Sequence, residues 1–264
     1  MSVFAPNLFA GKTTVVTGSS SGIGREIALA FAAVGANVVL HGRGPSAGLD
    51  AVAQEITSRG GQANSLYSDF SNADFDSTQF VDQAWGVFQS FDVWVNNAGG
   101  DVLTGEVSEK SFDEKLQYLL QVDVRATLGL SRAAGAKMAE SDKVEGAIVN
   151  IGWDQAWIGM SGDSGDMFST TKGAIMSATK SLAHSFAPRV RVNCVAPGWI
   201  KTAWGETATE YWDQRAREQS LVNRWGTPFD IAGAAVFLSS PAASFITGQV
   251  VNVNGGFNSY PPLS

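Results

Sequence analysis

KTTVVTGSSSGIGREIALAFAAVGANVVL, residues 12–40, decides the fold. Lys12 to Thr17 is a short run rich in β-branched residues, and GSSSGIG follows it. Ile23, Ile27, Phe31 and Val34 then recur at helical spacing, with Gly35 placed to end the helix. A second apolar run, Ala36 to Leu40, completes a strand, turn, helix, strand unit. Such a unit requires parallel strands joined by a right-handed crossover. The expected class is α/β, a Rossmann-type doubly wound parallel sheet with helices on both faces.

The glycines of the turn, Gly18, Gly22 and Gly24, are spaced two residues wider than the common GxGxxG fingerprint. Glycines there can serve only close strand-to-helix packing. Their place at the opening of the first helix after the first strand adds a second use. Backbone N–H groups and the helix dipole meet there and suit a pyrophosphate. Gly18, Ser20, Ser21, Ile23 and Gly24 are therefore expected to hold a dinucleotide. At the end of the second strand the chain reads HGR, residues 41–43, where an NAD site usually offers an acidic side chain to the ribose. No carboxylate opposes a 2′-phosphate, and Arg43 can pair with one through charge-assisted hydrogen bonds. The expected cofactor is NADP(H), the alternative being an Arg43 that merely solvates a loop.

A helical segment, Gly48 to Arg59, leads through Gly60 and Gly61 to a strand ending at Ser68 and Asp69. The apolar strand FDVWV then runs into NNAGG, residues 96–100. TGSSSGIG, a strand-end Asp69 and NNAG together resemble the short-chain dehydrogenase/reductase family. The resemblance implies that Asp69 lies beside the adenine and that Asn96, Ala98 and Gly99 support the sheet and the cofactor. VRVNCVAPGWIKT matches the family segment in which Pro197, Gly198, Ile200 and Thr202 would hold the nicotinamide amide. RWGTPFDIAGAAVFLSS and ITGQVVNVNGG match its C-terminal helix and last strand, so the likeness spans nearly the whole chain. One domain, residues 1–264, is expected, with a substrate lid around residues 199–225. The family also implies a homotetramer or homodimer packed through the helices around Leu116 to Ala136 and Thr171 to Phe186.

Composition narrows the partners. A net charge of −7 without a Lys/Arg cluster argues against nucleic acid, and no apolar run reaches membrane-spanning length. The N-terminus lacks a secretory pattern, so a soluble cytoplasmic protein is expected. Cys194 lies in an apolar run and reads as a buried strand residue. His41 and His184 show no metal-ligand spacing, and no metal site is expected. GDSGD, residues 162–166, lacks the strand-to-elbow context of a lipolytic serine and reads as a polar loop.

The chemistry should sit in IGWDQAWIGMSGDSGDMFSTTK, residues 151–172. Family members usually carry an Asn, Ser, Tyr, Lys tetrad, in which tyrosine moves the proton, lysine lowers its pKa and grips the nicotinamide ribose, serine orients the carbonyl, and asparagine holds a relay water. Here the asparagine position is Asp123, the serine position is Trp153 with Asp154 beside it, and the tyrosine position is Phe168; Lys172 alone is kept. A phenyl ring neither donates nor accepts a proton, so ordinary ketone reduction is not expected. An iminium ion needs no acid, because hydride addition leaves a neutral amine. Asp154 and the nearby indoles Trp153 and Trp157 would steady such a cation. A conjugated C=C would instead need Asp154, Asp163 or Asp166 protonated by burial. Trp199, Trp204 and Trp212 add aromatic surface in the lid, which suits a bulky hydrophobic substrate, although loop tryptophans often only close a core. Arg125, two beyond Asp123, is expected to touch cofactor or substrate, or else to be solvated.

The catalytic expectation is thus Asp154, Lys172, Trp153, Trp157 and Asp166. The exchanges at Trp153, Asp154 and Phe168 are also similar to a divergent branch of the family in fungal indole-alkaloid biosynthesis, which reduces a cationic intermediate with NADPH and shapes an intramolecular 4+2 cycloaddition. Two alternatives stand beside a reductase: a cyclase or isomerase that keeps NADP as a structural prop, and a non-catalytic dinucleotide-binding pseudoenzyme.

Overall fold

Along β1 (Thr13–Val16) successive side chains turn to opposite faces, Val16 into one apolar layer and Val15 into the other. The computed structural model describes residues 4–142 and 145–257. The same alternation recurs in β2 (Asn37–Gly42), where Val38 and Leu40 oppose Val39, and in β4 (Val93–Asn96), where Val93 and Val95 oppose Trp94. Both faces of these strands are buried, which is why they read as unbroken apolar runs.

Four further strands, β3 (Ala63–Tyr67), β5 (Gly146–Ile151), β6 (Val190–Pro197) and β7 (Val250–Val253), complete a parallel sheet of order β3-β2-β1-β4-β5-β6-β7. Helices α1 (Gly22–Ala33) and α2 (Ala47–Ser58) cover one face through Ile27, Phe31, Val52 and Ile56. Helix α3 (Ser77–Phe88) covers the other through Phe80 and Val81. Burying a side chain such as Ile27 or Phe31 stabilises the fold by roughly 1.5–3 kcal/mol. Strand order reverses between β1 and β4, and the crevice outside their carboxyl ends is the usual ligand position in such sheets.

Helix α4 (Phe112–Leu119) starts at a capping box made by Ser111 and Glu114. It continues into α5 (Thr127–Glu140), but not as one regular α-helix. A π-helical segment, residues 120–126, joins the two and carries Asp123, which is buried. A widened turn is a common device where a helix must re-aim a functional side chain.

After β5 come a short α6 (Gln155–Ile158) and the long α7 (Asp163–Phe186). Beyond β6 the chain forms α8 (Ala203–Glu206), α9 (Glu210–Glu218) and α10 (Pro228–Ser239), the last packing beside α1 through Ile231 and Val236. A buried polar network links the centre. Asn96 donates to Ser131 Oγ and Asn150 Oδ1, accepts from Trp94 Nε1, and Asn150 donates to Thr179 Oγ1. Among the described residues no helix is long and apolar enough to cross a membrane, and no group of three His, Cys, Asp or Glu could hold a metal ion. Cys194 is fully buried in β6, and burial pushes its thiol up to about 12, as its apolar setting suggests.

Candidate active site and dinucleotide cradle

Gly18 and Gly22 both take positive φ, +64° and +55°, so the turn after β1 needs residues without a Cβ. At Gly18 a Cβ would stand 2.8 Å from Ala98 Cα, and at Gly24 it would overlap the Gly18 carbonyl. The turn is therefore pressed against the end of β4. Ser21 caps α1 without a side-chain bond to the helix, and the first turn carries no acidic residue. Open N–H donors and a positive dipole end remain there, which is what a pyrophosphate requires. Thr202 closes over the same place, its Cγ2 standing 3.6 Å from a Cβ built at Gly22. Ser20 lines the turn, while Ile23 packs into the core beneath it.

Two residues hold this turn in shape. Asn97 donates to the carbonyls of Thr17 and Gly18, and Thr17 Oγ1 accepts from the N–H groups of Asn97 and Ala98. His41 accepts from Gly18 N–H through Nδ1 at 3.1 Å, and its Nε2 lies 2.9 Å from the Ser68 carbonyl. Burial pushes this imidazole down to about 4. Folding thus favours neutral His41, and the contribution is complete above the ordinary histidine value of 6.5 and is lost as pH falls through about 4. Urea unfolding should show a loss of at most about 3 kcal/mol from this group across that window, and His41→Gln should lessen the slope.

Asp69 ends the same region, its Oδ1 accepting from Ser71 N–H and Oγ. Arg43 is exposed at the end of β2 and lies close enough to oppose the effect of Asp69 on Tyr118. The side chain of Asn96 is committed to the central network rather than to the crevice. Arg125 is exposed and bonded to Gln121, which in turn holds the Phe70 and Asn72 carbonyls.

Lys172 lies one helical turn beyond Phe168 on α7, so the two share a face. Its Nζ stands 3.1 Å from Asp123 Oδ2, while Asp123 Oδ1 accepts from Gly100 N–H at 2.7 Å. A Cβ at Gly99 would meet Lys172 Nζ at 3.3 Å, so the lysine lies along the NNAGG turn. The Phe168 ring packs against Val102, Leu119 and Met167 and stands edge-on to Trp153 at 6.1 Å. Trp153, Phe168, Lys172 and Asp123 are brought together.

Asp154 lies behind them, buried. Its N–H donates to the Pro197 carbonyl, its Oδ2 accepts from Asn254 Nδ2 at 3.0 Å, and its Oδ1 is buried without a partner. A Cβ at Gly198 would be 3.2 Å from Oδ2, so the carboxyl lies against that backbone. Burial pushes Asp154 up to about 6. The other expected groups do not converge. Trp157 is 77% exposed and stacks under Lys180. Asp166 is exposed on the first turn of α7, and from Phe168 it lies two residues, about 200°, around the helix. Asp163 is exposed on the same first turn.

The aromatic surface after Gly198 folds on itself. Trp199, Trp204, Trp212 and Trp225 pack with ring centroids 5.6–6.3 Å apart. Arg215 lies over Trp199 and Trp212, while Trp199 Nε1 donates to Gln219 and Trp225 Nε1 to Asp213. These indoles form a small core of their own, each pair contributing about 0.5–1.5 kcal/mol beyond burial. Ile200 is buried beneath them and pairs with Gly226. The roles of Asn97, His41 and Asn254 were invisible in the sequence because each depends on a partner far along the chain.

Comparison with known proteins agrees with this architecture. Residues 18–258 match the family described as enoyl-(acyl carrier protein) reductase. An uncharacterised oxidoreductase of Mycobacterium tuberculosis is 36% identical over 254 residues, covering 96% of this chain and 94% of the relative. A 3-oxoacyl-[acyl-carrier-protein] reductase of Aquifex aeolicus is 36% identical over 256 residues, covering 93% and 97%. The crystal structure of a 3-oxoacyl (acyl-carrier-protein) reductase from Agrobacterium tumefaciens with NADP bound superposes with a TM-score of 0.83 at 32% identity, covering 94% of this chain and 95% of that one. With its parallel sheet and glycine turn set beside these relatives, the chain belongs to the short-chain dehydrogenase/reductase family of NAD(P)-dependent oxidoreductases.

Proposed function

We propose that the protein is an NADP(H)-dependent reductase of a bulky hydrophobic natural-product intermediate that receives hydride without needing a proton from the enzyme, first of all an iminium ion. The carrying observation is the pair Phe168 and Lys172: the residue one turn before the lysine is a phenyl ring, and the lysine is held by Asp123. The nicotinamide supplies the hydride when bound. Gly18, Ser20, Ser21, Ile23 and Gly24 hold the phosphates in this reading, Arg43 the 2′-phosphate and Asp69 the adenine. Ala98, Gly99, Pro197, Gly198, Ile200 and Thr202 line the nicotinamide half, with Lys172 on its ribose.

Hydride adds to the C=N carbon, the π pair moves to nitrogen, and a neutral amine results; no proton changes hands. Asp123 offsets the charge of Lys172, so the site does not repel a cation as a lone lysine would. Trp153 then faces the positive substrate in this reading, and ionised Asp154 favours that charge through space from its buried position behind the indole.

A pH profile distinguishes this reading from acid-assisted reduction of a conjugated C=C. Stabilising an iminium requires ionised Asp154, so kcat/KM for a cyclic iminium should rise as pH passes upward through about 6, and Asp154→Asn should remove that limb. Acid assistance requires the protonated form and predicts the opposite slope. Turnover of simple ketones with neglect of cyclic imines would overturn the proposal.

The protein is further proposed to work as a homotetramer or homodimer. Supporting this, Leu120 and Leu128 are exposed on the α4–α5 stretch, and Phe237 and Phe245 are exposed near the β7 edge of the sheet. Sedimentation equilibrium is the direct test.

A further inference from the structure

We propose that His41 is a positioning residue for the dinucleotide, a clasp whose neutral Nε2–H tautomer locks the phosphate turn to the adenine end of the site and whose protonation loosens the cofactor. The inference rests on the reading of the glycine turn as the NADP(H) cradle.

The ring faces two fixed backbone partners of opposite kind. Gly18 offers an N–H and can only donate, so Nδ1 must be bare; the Ser68 carbonyl can only accept, so Nε2 must carry the proton. One tautomer alone satisfies both. The ring is further fixed by stacking on Phe70 at 4.2 Å with an interplanar angle of 7°, and by the edge of Phe80 at 5.1 Å. Its backbone is tied to the same turn, since His41 N–H donates to Ser19 Oγ and Ser19 N–H donates to the His41 carbonyl.

One residue therefore joins three segments. Gly18 and Ser19 begin the glycine turn, Ser68 immediately precedes Asp69, and Arg43 lies two residues beyond His41 itself. Protonation would place a second donor at Nδ1 against Gly18 N–H, turning an attraction at 3.1 Å into a repulsion and leaving the turn without that anchor. The charged group facing the ring from the segment after β3 is Asp69, while the glycine turn contributes only Thr17 to Ser21, and the rings of Phe70 and Phe80 are apolar. Burial outweighs Asp69, which is why the neutral form holds well below the ordinary histidine range.

Long-range proton–nitrogen spectra of nitrogen-15-labelled protein test the clasp without cofactor. The chain has 2 histidines, and His184→Gln assigns them. His41 should appear as the Nε2–H tautomer and stay neutral down to about pH 4. A Nδ1–H tautomer, or a charged ring at pH 6, overturns the proposal. Calorimetric titration with NADP+ tests the coupling: His41→Phe, which keeps the stack but neither ring bond, should weaken binding at neutral pH by roughly tenfold or more. His41→Asn can offer an amide oxygen to Gly18 N–H, and should bind more tightly than His41→Phe and lose less affinity than the wild type as pH falls from about 6.5 to 4. Equal affinity of wild type and His41→Phe, or parallel acid loss in wild type and His41→Asn, overturns it. Absence of NADP+ binding by the wild type at neutral pH instead overturns the cofactor reading, and the coupling with it, whatever tautomer the spectra show.

Discussion

Phe168→Tyr should raise turnover of a neutral ketone by about 10²-fold, since a positioned general acid typically contributes 10²–10⁴-fold. The new hydroxyl would stand on the face of α7 that carries Lys172, one turn away, with its ring held by Val102, Leu119, Met167 and the edge of Trp153. The low end of that range is expected because Asp123 already holds the lysine, which leaves less positive charge to favour a phenolate. Reduction of a cyclic iminium should change little, because no proton enters that step. Parallel assays of NADPH oxidation with a cyclic ketone and a cyclic iminium read the contrast. A gain on both substrates, or on neither, would mean that the missing phenol is not what divides them.

Asp123→Ala should cost about 3–5 kcal/mol of stability, the range seen when one partner of a buried ion pair is removed. Lys172 would be left with its side chain only 15% exposed and without its counter-ion, and Gly100 N–H would lose its acceptor. At about 2–4 °C per kcal/mol for a chain near this size, the melting temperature should fall by roughly 10 °C. Asp123→Asn should cost less, because an amide oxygen still accepts from Gly100 while the charge is lost. Calorimetric melting of both variants separates the two contributions. A loss equal in both would assign the stability to the charge, and a small loss in both would show that Lys172 is hydrated once released.

The sheet was legible because its signals are local. Alternation along residues 13–16 and 37–40, helical spacing from Ile23 to Val34 and three glycines at the turn each lie within a few residues, and each survives into β1, β2, α1 and the tight turn between β1 and α1. Capping of α10 by Thr227 and Asp230, with Pro228 at its start, is likewise written in consecutive residues. Lys172 and Phe168 share a face by helical period alone. The tryptophans after Gly198 were legible as residues but not as an arrangement: whether indoles line a pocket or pack on one another depends on how α8, α9 and the loop to α10 meet.

The amino-acid sequence by itself determined the parallel sheet, the glycine turn, the family, and the phenyl ring one helical turn before Lys172, because each is carried by residue type and short spacing. Tertiary structure alone decided the partners: His41 against Gly18 and Ser68, Asp154 against Asn254, and Lys172 against Asp123 across a widened helical turn. These contacts join residues 23 to 100 positions apart. Their energies depend on burial and on the direction of each donor and acceptor, and both are set only when the layers close.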